Sequence, residues 1–555
     1  MMLTENGIHV GSAPDGAVCL LPGMANRHGL IAGATGTGKT VTLQVLAEGF
    51  SQLGVPVFLA DVKGDLSGMC RPGTDSADMQ ERISHFGLEE CGFHYDSYPT
   101  TFWDVYGRMG IPLRTTISDM GPILLARLMD LNATQTDILT IIFKIADDQN
   151  LLLIDTKDLK SMLQYVSENN AEFSGQYGNI AKQSAATILR NVVALEAQGA
   201  EQFFAEPALN IADWFTTGIG GKGMINVLDC RELVNNKTLY STFLLWMLSE
   251  LYTILPEVGD LEKPRMVFFF DEAHLLFHDI SKALRDKIEQ VVKLIRSKGV
   301  GVYFITQSPK DVPDEVLSQL GNKIQHALHA YTPSDMKNIK AAADSFRINP
   351  AFKTDEVLTN LGIGEALISV LDETGTPGIV QHCRVLPPQS LMGGISDEEK
   401  QQEIKINNLY LRYQDMFDRD SAYETLERKR EQDAQDRAQQ AEALARAKEE
   451  ERLAKEQARE EERLAREQAK EEARLAREKA RQEEKLAREK EREEQKKQQA
   501  VKSGINRVAG SAAGTIGREL GNQLGSAVGG SFGKRLGGNV GATLGRNILG
   551  TLLKS

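Results

Sequence analysis

Short, uninterrupted apolar segments alternate with stretches of helical periodicity in two parts of this 555-residue chain. Strands buried on both faces contain continuous apolar runs, so these segments predict a mostly parallel sheet. The predicted strands are residues 28–32, 56–61, 224–229, 266–270, 300–305 and 323–328, with a closing pair at 364–370 and 379–386. Helices are predicted over residues 41–53, 238–255 and 281–298. The alternation indicates an α/β fold, preceded by a polar lead-in over residues 1–27 that contains a hairpin.

The predicted core has two parts, residues 1–61 and 221–395, because residues 62–220 interrupt the alternation. Segments 93–94 and 102–106 within the interruption are candidates for short strands, whereas residues 117–195 carry apolar positions at helical spacing. We interpret residues 62–220 as a mainly helical insertion packed against the sheet. A small separate subdomain is the alternative.

The composition changes sharply after residue 395. Residues 423–500 are almost entirely Glu, Lys, Arg, Gln and Ala, and Leu-Ala pairs begin every 11 residues at Leu453, Leu464, Leu475 and Leu486. Such a repeat, about 3.67 residues per turn, favours a slight right-handed supercoil. We therefore predict a long charged helix over 396–500. Because its apolar stripe is narrow, a single helix and a coiled coil fit equally well, and a disordered charged run is the third reading.

The last segment, residues 501–555, contains glycines at every fourth position from Gly517 to Gly545, each preceded by an apolar residue. Repeated G-x-x-x-G allows helix backbones to approach closely, usually in lipid. Charges such as Arg518 and Lys534 leave no uncharged stretch long enough to span a bilayer. We interpret the segment as a glycine-zipper tail that contacts itself or an anionic membrane surface, with glycine-rich disorder as the alternative.

The strongest chemical motif follows the first predicted core strand, where residues 33–40 match G-x-x-x-x-G-K-[ST]. Glycines let such a loop curl so that backbone N–H groups point at phosphate oxygens, and the following helix adds its positive end. Lys39 is placed to reach the β- and γ-phosphates of ATP, and the Thr40 hydroxyl to bind Mg²⁺. The candidate nucleotide-binding residues are Gly33, Ala34, Thr35, Gly36, Thr37, Gly38, Lys39, Thr40 and Val41.

Two further strand ends complete the candidate chemistry. The apolar segment 266–270 is followed by Asp271 and Glu272, the Walker B pattern, in which Asp271 binds Mg²⁺ and Glu272 polarises the attacking water. The strand at 300–305 ends at Thr306 and Gln307, where a sensor of the γ-phosphate is expected. Asp61 also ends a strand, and either faces the ligand crevice or belongs to an ordinary polar loop.

Composition limits the class of protein less than these motifs do. The formal net charge of -13 argues against a surface coated for nucleic-acid binding, but not against a local basic channel. The five cysteines have no C-x-x-C or zinc spacing and indicate reduced thiols. With no secretory signal pattern at residues 1–5, we expect a cytoplasmic protein, with membrane contact through the tail as an option.

The order of these motifs resembles the HerA/FtsK superfamily of P-loop motor ATPases. Residues 121–127 (GPILLAR), 131–135 (LNATQ) and 152–159 (LLIDTKDL) are similar to the bacterial YjgR-like branch, whose members are described as helicase HerA-like C-terminal-domain proteins. The resemblance covers about residues 5–390 and does not extend to the tail.

The resemblance implies a RecA-like core, a ring that is commonly a hexamer, and ATP-driven movement of DNA. It also implies an arginine finger that acts on a neighbouring subunit's nucleotide, and Arg296 occupies that place. A helix-end arginine favoured by the helix dipole is the alternative. One departure is that HerA carries a β-barrel before its P-loop, which about 30 residues cannot build.

The motifs predict a Mg·ATP-dependent ATPase, and the resemblance implies a ring motor of the HerA/FtsK type that acts on DNA as helicase or translocase. The alternative is a membrane-proximal or scaffold assembly ATPase that works through its long helix and its tail.

Overall fold

The computed structural model describes residues 3–494 except 91, 260, 279 and 281. The predicted glycine-zipper tail lies outside the described residues. A first compact unit ends at Gln439, and a second begins at Gln440.

Thirteen strands form one sheet in the described part of the chain. They are β1 Leu3–Thr4, β2 Gly7–Ala13, β3 Gly16–Leu20, β4 Gly29–Ala32, β5 Val57–Asp61, β6 Thr100–Asp104, β7 Ile111–Pro112, β8 Ile225–Asp229, β9 Met266–Phe270, β10 Val300–Thr306, β11 Asn322–Gln325, β12 Glu365–Ser369 and β13 Gln381–Val385.

The centre of this sheet is parallel and its first edge is antiparallel. The strand order is β1-β2-β13-β12-β11-β4-β10-β9-β5-β8-β6-β7, and β3 pairs with β2. The eight strands from β11 to β7 pair in parallel, whereas β12, β13 and the β1–β3 lead-in pair antiparallel. The predicted α/β fold with a mostly parallel sheet is confirmed, as is the hairpin in the lead-in.

Helices cover this sheet and continue after it. They are α1 Lys39–Gln52, α2 Ala77–His85, α3 Ile117–Leu128, α4 Ala133–Asp148, α5 Thr156–Glu168, α6 Asn170–Tyr177, α7 Lys182–Glu196, α8 Ala200–Phe203, α9 Lys237–Ile254, α10 His274–Phe277, α11 Lys282–Ile295, α12 Asp314–Leu317, α13 Pro333–Asp344, α14 Thr354–Asn360, α15 Asp397–Ile406, α16 Tyr410–Tyr413 and α17 Ala422–Glu494. Among the helices of the described residues, none is both long and apolar enough to cross a membrane.

Residues 62–220 contain helices α2–α8 and also two strands of the main sheet, β6 and β7. Most of their buried apolar side chains belong to the same core as those of the central strands, and Ile83 and Leu88 pack separately with Val45 of α1. The candidate strand at 102–106 is found as β6, but that at 93–94 is wrong. Phe93 instead donates its N–H to Leu88 O at 3.0 Å and its ring packs edge-on against Tyr95.

The long helix was predicted from residue 396, but the structure places two short helices, α15 and α16, before α17 begins at Ala422. The reason is apolar burial, because Ile404, Tyr413 and Leu426 lie in the main core. Residues 397–439 therefore belong to the first compact unit rather than to a free charged helix.

A buried ion pair attaches α15 to the sheet. Lys400 Nζ lies 2.7 Å from Asp229 Oδ2 at the end of β8, with side chains only 3% and 6% exposed. Burial alone would raise the pKa of Asp229, but Arg231 and Lys400 together hold it below its ordinary value. The pair joins a helix that follows the sheet to the carboxyl end of a central strand.

Replacing Lys400 with Met should lower the free energy of unfolding by roughly 2–3 kcal/mol, because Asp229 keeps Arg231 but loses its buried partner. Lys405→Met is the matched control, since Lys405 lies on the same helix with an exposed side chain. Chemical denaturation of both variants checks this. Equal stability of the two variants would contradict the role of the pair.

Candidate nucleotide-binding site

The glycine-rich loop joins β4 to α1 in the conformation that the motif requires. Gly33, Gly36 and Gly38 have φ values of 154°, 79° and 110°, which favour glycine. Gly33 N donates to Thr306 O at 3.2 Å, so the loop is anchored to the end of β10. Helix α1 then begins at Lys39, and its amino end faces the loop. Residues 33–38 therefore form a curled loop that leads into the first turn of α1, where Lys39, Thr40 and Val41 lie.

Lys39 is largely buried against this loop. Its Nζ donates to Gly33 O at 2.7 Å and to Ala34 O at 2.9 Å. Burial lowers the pKa of Lys39, and the ammonium of Lys63 lowers it further. The ammonium is thus held at the loop by carbonyl groups, which a phosphate can replace as hydrogen-bond acceptor.

Residues after β11 and at the start of β12 contact the glycine loop on the side where the antiparallel strands lie. Gly364 N donates to Thr37 O at 3.0 Å. His326 Nδ1 lies 2.9 Å from Glu365 O, and its Nε2 lies 2.9 Å from the Thr42 hydroxyl. Because a carbonyl only accepts, Nδ1 donates and Nε2 accepts from Thr42. Burial lowers the pKa of His326 to about 4, so the ring stays neutral in this role.

The Walker B acids lie two strands away from the loop, because β9 pairs with β10 and β10 pairs with β4. Asp271 is buried, and its Oδ1 accepts from Glu272 N at 2.9 Å. Burial raises the pKa of Asp271 to about 7. The next residue of the chain, Ala273, donates its N–H to Ile305 O at 2.8 Å, which fixes this turn to β10.

The loop after β5 brings two further charged groups to the same edge. Asp61 accepts from Gly64 N at 2.7 Å and from Leu66 N at 3.2 Å, so it shapes residues 62–66.

Lys63 Nζ lies 2.7 Å from Glu272 Oε1. Burial raises the pKa of Asp65, and the nearby Lys63 ammonium and Thr40 hydroxyl oppose this rise.

Neither Lys63 nor Asp65 was among the predicted site residues. The signal was present in the sequence, because a lysine and an acid directly follow a buried strand. Only the pairing of β5 with β9, some 200 residues later in the chain, brings Lys63 to Glu272.

The predicted sensor residues differ in their surroundings. Thr306 is buried, and its hydroxyl donates to Asp311 Oδ2 at 2.5 Å, while its carbonyl accepts from the glycine loop. Gln307 follows it with an exposed side chain. The structure thus places both residues beside the loop, with only Gln307 exposed to the solvent.

Arg296 lies at the other end of β10, in the 3₁₀ turn Arg296–Lys298. The seven residues of β10 separate it by roughly 20 Å from its own glycine loop. Its side chain is exposed, and no ion pair of Arg296 occurs within the described ranges. Arg296 therefore cannot reach the nucleotide site of its own subunit, and any action on a nucleotide needs a second subunit.

The residues at this edge fit a magnesium nucleotide. Two buried carboxylate oxygens, Asp65 Oδ1 and Glu272 Oε2, find no hydrogen-bond partner among the described residues. Hydroxyl and carboxylate oxygens of Thr40 and Asp271 are ligands that Mg²⁺ accepts. No group of three or more His, Cys, Asp or Glu that could hold a metal occurs in the described part of the chain. Mg²⁺ bound with a nucleotide is usually held by one or two protein oxygens together with phosphates.

A strand, a glycine loop and a helix, with an acidic pair at the end of a parallel strand two positions away, define a P-loop nucleotide-binding protein of the α/β class. The family model described as helicase HerA-like C-terminal matches residues 8–535. The chain therefore belongs to the helicase HerA-like C-terminal family.

Individual relatives match shorter parts of the chain. The DNA double-strand break repair helicase HerA of Saccharolobus solfataricus is 23% identical over 351 residues, which are 62% of this chain and 61% of that protein. The probable helicase MJECL08 of Methanocaldococcus jannaschii is 31% identical over 154 residues, 26% of this chain and 28% of that protein. Among solved structures, the plasmid coupling protein TrwB with a non-hydrolysable GTP analogue has a TM-score of 0.47 at 13% identity, covering 70% of this chain and 90% of that one.

Two glycines of the loop should respond differently to an added methyl group. In Gly33→Ala the new Cβ would lie 2.5 Å from the Cβ of His326, whereas in Gly36→Ala it meets no described atom within 4 Å. Gly36→Ala should therefore cost only the backbone strain, roughly 1 kcal/mol. Gly33→Ala should cost clearly more and weaken nucleotide binding. Denaturation curves compare the two, and equal losses would show that His326 does not pack against the loop as described.

Proposed function

We propose that this protein is a Mg·ATP-hydrolysing ring motor of the HerA/FtsK type that acts on DNA. The observation that carries the proposal is the convergence of Lys39, Thr40, Asp271 and Glu272 at one sheet edge. The charges of Asp271 and Glu272 act on the Lys39 ammonium, although the chain separates them by more than 230 residues. Asp65 Oδ1, on the loop after β5 that carries Lys63 to the same edge, is buried without a hydrogen-bond partner among the described residues, which leaves one acceptor at this edge free for a ligand.

Each residue has a distinct task in this proposal. The backbone N–H groups of residues 33–40 and the Lys39 ammonium bind the phosphates, and Thr40 and Asp271 hold the metal. Glu272 orients the attacking water and accepts its proton. Gln307, exposed beside the loop, is the candidate sensor of the terminal phosphate. When bound, Mg²⁺ would neutralise the negative charge that develops on the phosphate oxygens.

DNA is the proposed cargo because the chain belongs to a helicase-named family and a relative is named as a DNA repair helicase. The net charge of -13 requires that any contact with DNA phosphates be local, as in a basic channel. A ring, for which a hexamer is the proposed form, would supply such a channel. It would also bring Arg296 of one subunit to the nucleotide of its neighbour.

Glu272→Gln should retain ATP binding and lose turnover, because an amide cannot take a proton from water while Lys39 and Thr40 still hold the phosphates. Lys39→Ala should lose both binding and turnover. The measurements are nucleotide affinity and phosphate release, each with and without double-stranded DNA. We expect DNA to stimulate hydrolysis by the wild-type protein and to leave Glu272→Gln inactive.

Two outcomes would count against the proposal. Normal hydrolysis by Glu272→Gln would remove the assigned base. Hydrolysis that is indifferent to DNA would favour the assembly ATPase that works through the long helix and the tail.

Arg296→Ala should abolish activity in a homogeneous oligomer, and mixing it with Lys39→Ala subunits should restore part of it. Each variant then supplies the group that the other lacks at one kind of interface. Lys293→Ala is the control, because Lys293 is exposed on the last turn of α11, one turn before Arg296. It should behave as the wild type. Absence of rescue in an oligomer shown to be mixed would leave Arg296 as a helix-end residue.

A further inference from the structure

One ion pair of the site has no task in the mechanism above. Lys63 Nζ lies 2.7 Å from Oε1 of Glu272, the proposed base. The lysine side chain is 42% exposed and the glutamate side chain only 10% exposed, so Lys63 covers the carboxylate from the solvent side. A carboxylate paired in this way is a poor acceptor for a proton from water, because the ammonium stabilises its charged form.

The position of Lys63 is built into the fold. Asp61 fixes the turn that carries it through two backbone hydrogen bonds. The segment after the sheet packs on the same turn, since Gly394 approaches the Gly64 carbonyl so closely that an added Cβ would lie 2.6 Å from its oxygen. Ile395 N donates to the Ser67 hydroxyl at 3.1 Å. The backbone around Lys63 is therefore fixed, and the fold itself brings Lys63 to Glu272.

The conformation of Glu272 is itself unusual. Its φ of 48° lies in the left-handed region, which costs a residue other than glycine roughly 1–2 kcal/mol. Its Oε2 is buried without a hydrogen bond among the described residues, although His274 Nδ1 lies 3.3 Å away. Backbone strain and an unsatisfied carboxylate oxygen at one residue are typical of a group that changes partners during function.

The charged groups around the Lys63–Glu272 pair indicate what could separate the two side chains. Lys39 and Lys63 lie close enough for each ammonium to oppose the other, while Glu272 and Asp271 attract both. Asp65 attracts the Lys63 ammonium as well, so three carboxyl groups surround the two ammonium groups. A γ-phosphate bound by Lys39 would add negative charge near this pair and would compete with Glu272 for the Lys63 ammonium. A diphosphate lacks that group.

We propose that Lys63 is a positioning residue that restrains Glu272 until a nucleoside triphosphate is bound, and then exchanges Glu272 for the terminal phosphate. The inference rests on the proposed function. The release frees Glu272 Oε1 for water only when a cleavable phosphate is present. Lys63 thus couples recognition of the triphosphate to availability of the base, and ADP leaves the restraint in place.

Nucleotide affinity gives the first test, in the full-length protein with Mg²⁺. Lys63→Met should weaken binding of a non-hydrolysable ATP analogue roughly tenfold, the value of one charge-assisted hydrogen bond, and leave ADP affinity within about twofold. Lys63→Arg should restore the preference for the triphosphate, and Lys63→Gln is the second variant if the methionine variant does not fold. Lys144→Gln is the control, because it breaks an ion pair of the same 2.7 Å length with Asp148.

A double-mutant cycle of Lys63→Met and Glu272→Gln gives the second test, read as melting temperature. The two positions should be coupled without nucleotide and with ADP, and uncoupled with the ATP analogue. Coupling that persists with the analogue, or an unchanged preference for triphosphate in Lys63→Met, would overturn the inference and leave Lys63 as a permanent structural partner. If the wild-type protein binds neither nucleotide, the proposed function fails, and this inference fails with it.

Discussion

The parallel pairing of β4, β10, β9 and β5 is the constraint on which the site depends. In register, Thr306 of β10 lies opposite Ala32 of β4, and Phe270 of β9 lies opposite both Phe304 and Ala60. The residues that follow these strands therefore leave the sheet at one edge. Because a shift of one residue would turn every side chain to the other face, the buried strands fix which polar groups reach that edge.

The segments after the sheet hold this edge in place. Glu48 on α1 is fully buried and accepts hydrogen bonds from the backbone N–H groups of Gln389 and Ser390 at 2.8 and 2.9 Å. Burial raises the pKa of Glu48 to about 7, so these donors matter for keeping a carboxylate there. The same segment braces the turn that carries Lys63, and the pair of Lys400 with Asp229 attaches the helix that follows. Residues 389–406 therefore belong to the architecture of the site.

Features of the site that depend on local sequence could be predicted, whereas features that depend on contacts between distant segments could not. The glycine loop, its strand and helix, and the acidic pair after β9 follow from local patterns, so their places were predictable. Lys63 and His326 owe their roles to pairings between distant strands, which a single sequence does not reveal. The aromatic residue Phe93 suggested a strand, but it packs within a loop. Arg296 depends on a second subunit, so its role remains a prediction.

The most direct measurement is a structure of the full-length protein with Mg²⁺ and a non-hydrolysable ATP analogue. The account predicts phosphates on the backbone N–H groups of residues 33–40, the metal held by Thr40 and Asp271, and Lys63 moved from Glu272 to the terminal phosphate. A nucleotide bound elsewhere, or a metal without contact to this sheet edge, would contradict the proposed nucleotide-binding site.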